Sequence, residues 1–146
     1  MVPLQNAIFG LCIPPIDGNG TTPTATPFDT AQLSNGLGPA TTVLALIAIG
    51  NIAGNITTCI IEEASDSGFT TDVATVVTFT NPTAAGSDNT MIGATINMGG
   101  NRQRYLRTKI TCAGSATLVA SLFVSLPTGI SPSTAALRGL AQFQTV

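Results

Sequence analysis

Between residues 41 and 127 the apolar positions recur mostly at every second residue, the period of a strand with one face buried. "TMIGATINM" (90–98) places Ile92, Ala94, Ile96 and Met98 together, and "DVATVVTFTN" (72–81) does the same for Val73, Val77 and Phe79. In "YLRTKITC" (105–112) Leu106, Thr108, Ile110 and Cys112 form one face, with Tyr105, Arg107, Lys109 and Thr111 on the other. "TTVLALIAIGNI" (41–52) breaks the alternation by being apolar on both faces, which predicts a strand or strand pair covered from both sides. "NITTCIIEE" (55–63) is rich in β-branched residues, and "TLVASLFVSLP" (117–127) ends at a proline. Clusters such as "ASDSGFT", "NPTAAGSDN", "GGN" and "AGSA" separate these runs, and "GGN" (99–101) reads as a tight reversal. Six or so short strands with no helical pattern between them predict an all-β fold, an antiparallel sandwich or jelly roll.

The ends of the chain carry a different pattern. Residues 14–40 hold five of the nine prolines, with Gly, Thr and Asn between them, and show neither period. Such a stretch cannot offset its ordering entropy by apolar burial of its own. Residues 1–40 are therefore expected to be an extended N-terminal arm that orders against a neighbouring subunit. The sandwich domain is expected over 41–127 and a short C-terminal tail over 128–146. Ser131 and Pro132 could open a short helix in that tail.

Composition narrows the function classes. Charged residues make up 8% of the 146 positions, against roughly 25% in an ordinary soluble domain. Apolar residues make up 44%. A chain so poor in charge is expected to bury surface against copies of itself or a larger assembly. The absence of His removes the commonest general base and metal ligand. Cys12, Cys59 and Cys112 have no CxxC spacing, and reduced core thiols are expected at Cys59 and Cys112 over a bridge between them. These residues predict no enzyme, no cofactor and no metal. The first residues lack a basic leader, and "VLALIAIGNIA" (43–53) is too short to cross a bilayer, so no export or membrane role is expected.

Of the five Lys and Arg, four (Arg102, Arg104, Arg107 and Lys109) fall within "NRQRYLRTK" (101–109). Strand alternation points Arg107 and Lys109 away from the core and leaves Arg102 and Arg104 at the rim beside the turn. A net charge of −2 and a pI near 4.6 argue against nucleic acid. Two readings stay open: a solvated strand face, or pairing with carboxylates of a neighbouring subunit, for which Arg is suited. The acidic counterpart is "EEASDSG" (62–68), where adjacent Glu62 and Glu63 point to opposite faces and so cannot converge for catalysis. With Asp66 in the turn, a strand end fits better than a calcium loop.

The order of these segments carries a resemblance. "IIEEASDSGFT", a loop, "GGNRQRYLRTKIT" and then "SLFVSLP" together resemble tailed-bacteriophage head decoration, or cement, proteins. The likeness covers about residues 50–127 and rests on Glu62, Glu63, Ser65, Asp66, Arg104, Tyr105, Leu106 and Arg107. It implies a small jelly-roll or sandwich domain that binds the outer surface of the major capsid protein lattice, often as a homotrimer. It also implies a place on the virion surface after assembly in the cytoplasm of a bacterial host. On this reading Arg104, Arg107, Lys109, Glu62, Glu63 and Asp66 are the candidate subunit or capsid interface, with no nucleic acid, membrane or small-molecule substrate involved. The alternatives are a tail- or fibre-associated β domain and a carbohydrate-binding sandwich. One Tyr and no Trp provide little aromatic surface for sugar stacking.

Overall fold

The computed structural model describes residues 8–31, 40–84, 86–115, 117–126 and 141–146. Every regular element among them is a strand: β1 (Ile8–Asp17), β2 (Phe28–Asp29), β3 (Thr42–Ile52), β4 (Ile56–Ala64), β5 (Ala74–Thr78), β6 (Thr90–Asn97), β7 (Tyr105–Cys112), β8 (Thr117–Leu126) and β9 (Gln142–Thr145). They form a five-stranded sheet ordered β1-β8-β3-β6-β9 and a four-stranded sheet ordered β2-β7-β4-β5. Without β9 this is the eight-strand order of a jelly roll, as the strand pattern predicts. All pairings are antiparallel except β6 with β9.

The core lies between the sheets because the alternating apolar positions of both turn inward. Val43, Ala45 and Ile47 stand opposite Ile96, Ala94 and Ile92 on neighbouring strands of the larger sheet. Cys59, Ile61, Leu106 and Ile110 face them from the smaller sheet. Phe28 and Phe123 stack across the gap with ring centroids 5.5 Å apart. A side chain at Gly10 would run into the Phe28 ring, so a residue without Cβ lets β1 lie this close to β2. Cys59 and Cys112 are buried free thiols, as expected, and Cys12, in the stretch expected to be an arm, is a third.

Three expectations change. Residues 8–31 are part of the sandwich rather than an arm: β1 pairs with β8, β2 pairs with β7, and Cys12 and Ile13 lie in the core. The strand period is hidden there by register shifts between Leu11 and Ile13 and between Ile13 and Ile16, and by Pro14 and Pro15. Proline is tolerated because β1 ends its sheet and needs a ladder on one side only. Second, "GGN" leads out of β6 in one sheet and towards β7 in the other. It belongs to an arch across the sandwich, with Gly100 at a φ of 79°. Turn chemistry serves arches and hairpins alike, so the residues did not distinguish them. Third, Val73 is exposed, while Val77 and Phe79 are buried.

At the C-terminal end, Gln142–Thr145 adds β9 beside β6, so part of the expected tail also joins the sheet. Residues 1–7 and 32–39 of the expected arm, and the helix expected at Ser131 and Pro132, lie outside the described residues.

Candidate functional site

The two segments singled out in the sequence are neighbours in space. β4 and β7 pair along most of their lengths, and the register sets Glu62 opposite Arg107, Glu63 opposite Leu106 and Ala64 opposite Tyr105. Glu62 is thereby held on the outer face and Glu63 at the end of the inner one, as the opposed directions of adjacent residues predict.

Around Glu62 the outer face is organised by charge. Oε2 accepts from Arg107 Nε at 2.9 Å and Nη2 at 2.7 Å, and Oε1 accepts from Lys109 Nζ at 3.2 Å. Arg107 stands directly across the ladder, and Lys109 is the next residue on the same face. The Glu62 side chain is only 7% exposed, and its two cations offset the cost of burying a carboxylate there. The turn after β4 closes the assembly from above. Phe69 lays its ring on the Arg107 guanidinium, with Cζ 4.1 Å from the centroid. Phe69 reaches this position with a φ of 53°, a left-handed conformation uncommon for a bulky side chain. Asp66 braces the turn: its carboxylate accepts from the Thr70 and Thr71 amides and the Thr70 hydroxyl. Desolvation pushes the Asp66 carboxyl upward, but these bonds together outweigh it and hold the group below its ordinary value.

The rim pairs follow the same rule. Arg104 makes a two-point contact with Asp29, Nε to Oδ1 at 2.9 Å and Nη2 to Oδ2 at 2.8 Å. The Arg104 hydrogen bond is the main cause of a lowered Asp29 carboxyl. Thr30 donates its amide and hydroxyl to the Arg104 carbonyl, fastening the β2 end to β7. Glu63 accepts from the Gln103 amide and lies 3.7 Å from Arg102.

The sequence left Arg104 and Arg107 between a solvated strand face and pairing with a neighbouring subunit's carboxylates; in the structure both pair with carboxylates of their own chain. Asp29 and Phe69 were missed: Asp29 sat in the stretch read as an arm, and Phe69 in a turn read by composition alone. The pairing of Glu62 with Arg107 depends on a register between residues 45 positions apart, which no local pattern encodes.

Beside this network a shallow cleft of about 250 Å³ lies between β7 and the incoming 22–25 segment, lined by Thr22, Thr24, Arg107 and Lys109. Pro23 and Pro27 lack the amide needed to extend the β2 ladder along β7. In the core beneath, the Thr108 amide donates to Cys12 Sγ at 3.3 Å. Burial pushes the Cys12 thiol up, and Cys59 is pushed up to about 12 by burial and then by the nearby Cys112. Thiols held neutral in this way are packing groups rather than nucleophiles. Among the described residues, no three or more His, Cys, Asp or Glu side chains are gathered to hold a metal ion. No family model, curated protein or solved structure matches the chain.

Proposed function

We propose that this chain is a structural virion protein, a decoration or cement protein that acts by binding. Copies of it, assembled as a trimer, seat on the outer surface of the major capsid protein lattice of a tailed phage and reinforce the head. The observation that carries this reading is the β4–β7 unit. The acidic strand end, the Ser-Asp-Gly turn and the Arg-Tyr-Leu-Arg strand, on which the resemblance rests, form one register-matched structure in a jelly-roll sandwich. Jelly rolls recur in capsid and lectin domains, an analogy of fold that raises the reading without establishing it. Chemistry points the same way, since the site's charges neutralise one another and its thiols are buried. A binding protein of this kind needs little affinity per copy, because repeated contacts on a lattice couple through the oligomer.

The test is to mix the purified protein with empty heads of the phage that encodes it, then combine co-sedimentation with cryo-electron microscopy. The reading expects saturable binding and one added density per lattice position. Absence of co-sedimentation and of density on the head would overturn it, and density on the tail alone would replace it with a tail component.

A further inference from the structure

The outward positions of the larger sheet form a surface unlike the one around Glu62. The register aligns Phe9, Val124 and Leu44 in one row across β1, β8 and β3, and Leu11, Leu122 and Leu46 in the next. Ala120 and Ala48 continue the band, and Leu118 ends it, packed so closely on Gly50 that an added Cβ there would lie 3.0 Å from it. All ten positions are uncharged and lack polar side-chain atoms. Phe9 is 65% exposed, Leu11 56% and Leu118 49%, while Val124 in the first row is already buried at 6% and Leu44, Leu46 and Leu122 are half-buried.

We propose that this β1–β8–β3 face is where one copy of the chain docks on another. Three features favour a second copy over an unlike partner. Among the described residues the ten positions carry no charge, and Asp17, opposite Leu118 at the end of the band, is tied to the Asn19 and Thr117 amides. Two such bands can therefore meet over their Phe9–Leu46 part without like-charge repulsion. The four described cations are each paired within their own chain, which leaves recognition to apolar contact. Its size also fits: strand spacing and rise give roughly 15 Å by 25 Å, on the order of 400 Å². That is about half of what each partner buries in a standard interface, the share expected of an apolar centre inside a polar rim. Two pleated sheet faces can pack about 10 Å apart. The contact is two-fold, the same band on both partners, and so is additional to the trimer of the proposed virion protein. It rests on that reading for its setting but stands or falls on the purified chain and does not require the capsid.

Sedimentation velocity of the wild-type protein and of the Phe9→Asp, Leu11→Asp double variant, across the micromolar range, tests it. The wild type is expected to self-associate. The variant is expected to weaken association by at least about tenfold, because each new carboxylate would be desolvated in the contact. Val73→Asp, at an exposed apolar site beside β5 in the other sheet, should associate as the wild type does. Should the double variant fail to fold, amide exchange of the wild type gives the answer. Peptides covering β1 should gain protection with rising concentration, while those covering the Ser65–Asp72 turn should not. A wild type that stays monomeric, a folded double variant that assembles normally, or protection gained only at the turn would overturn the proposal.

Discussion

The outer faces of the two sheets solve opposite problems. Across β4 and β7 the exposed side is polar, and its strongest groups are tied to one another: Glu62 to Arg107 and Lys109, and Arg107 to Phe69. Across β1, β8 and β3 the outward band is apolar from Phe9 to Leu46, with the charge of Asp17 at the Leu118 end. One face is finished within the chain; the other is suited to further burial. The difference teaches that a charge cluster is not evidence of an interface until its partners are known. The more informative feature here was the run apolar on both faces, 43–49, whose inward residues build the core and whose outward residues face the proposed contact.

The largest effect expected from breaking this contrast is at Glu62. Glu62→Ala leaves two cations without their carboxylate and removes the support beneath Phe69. Breaking a fully buried pair costs about 3–5 kcal/mol. With Arg107 28% and Lys109 42% exposed, a loss of about 1–3 kcal/mol is expected here. Denaturant unfolding would measure it, and melting should fall by roughly 2–4 °C per kcal/mol in a domain of this length. Phe69→Ala comes next, with about 1–2 kcal/mol expected from lost burial and the cation contact. Its association should match that of the wild type.

Two pH limbs sharpen the comparison. The Asp29 and Asp66 carboxyls are lowered in the folded chain, so their contribution is present above about pH 4, the unfolded value. It is lost as pH falls through the folded values. Arg104→Gln should flatten the acid limb by removing the Asp29 share, read as a smaller drop in melting temperature on acidification. The thiols act with the opposite sign. Their raised values mean stability is intact below the ordinary thiol range, near 9, and declines as pH rises towards the folded value of about 12 at Cys59. Cys59→Ala should shallow that alkaline decline, and all three thiols should react with a disulfide reagent only as fast as the chain opens.

The smallest effect on the fold is expected at Leu118. Leu118→Ser, at half exposure, should change the unfolding free energy of the dilute protein by no more than about 0.5 kcal/mol. Its self-association should nevertheless weaken, the reverse of the pattern at Phe69.

Alternation made much of this fold legible. Leu106, Ile110 and Cys112 turn inward, and Arg107 and Lys109 outward, as their spacing requires. The N-terminal strands were not legible, because β1 carries two register shifts and two prolines and β2 is two residues long. Their order comes from pairing with β8 and β7, contacts that lie far away along the chain. The site was half legible for the same reason: residue types and strand faces are local, whereas the Asp29–Arg104 and Glu62–Arg107 partnerships are set by the fold.

A double-mutant cycle on Glu62→Gln and Arg107→Gln, read by denaturant unfolding and by sedimentation of the same four proteins, tests the central claim that the basic strand serves its own fold. The account predicts a coupling of about 1 kcal/mol or more, beyond the roughly 0.3–0.5 kcal/mol scatter of independent sites. It also predicts self-association unchanged in all four proteins. Additive unfolding energies together with weakened association would contradict it and return the cluster to an interface.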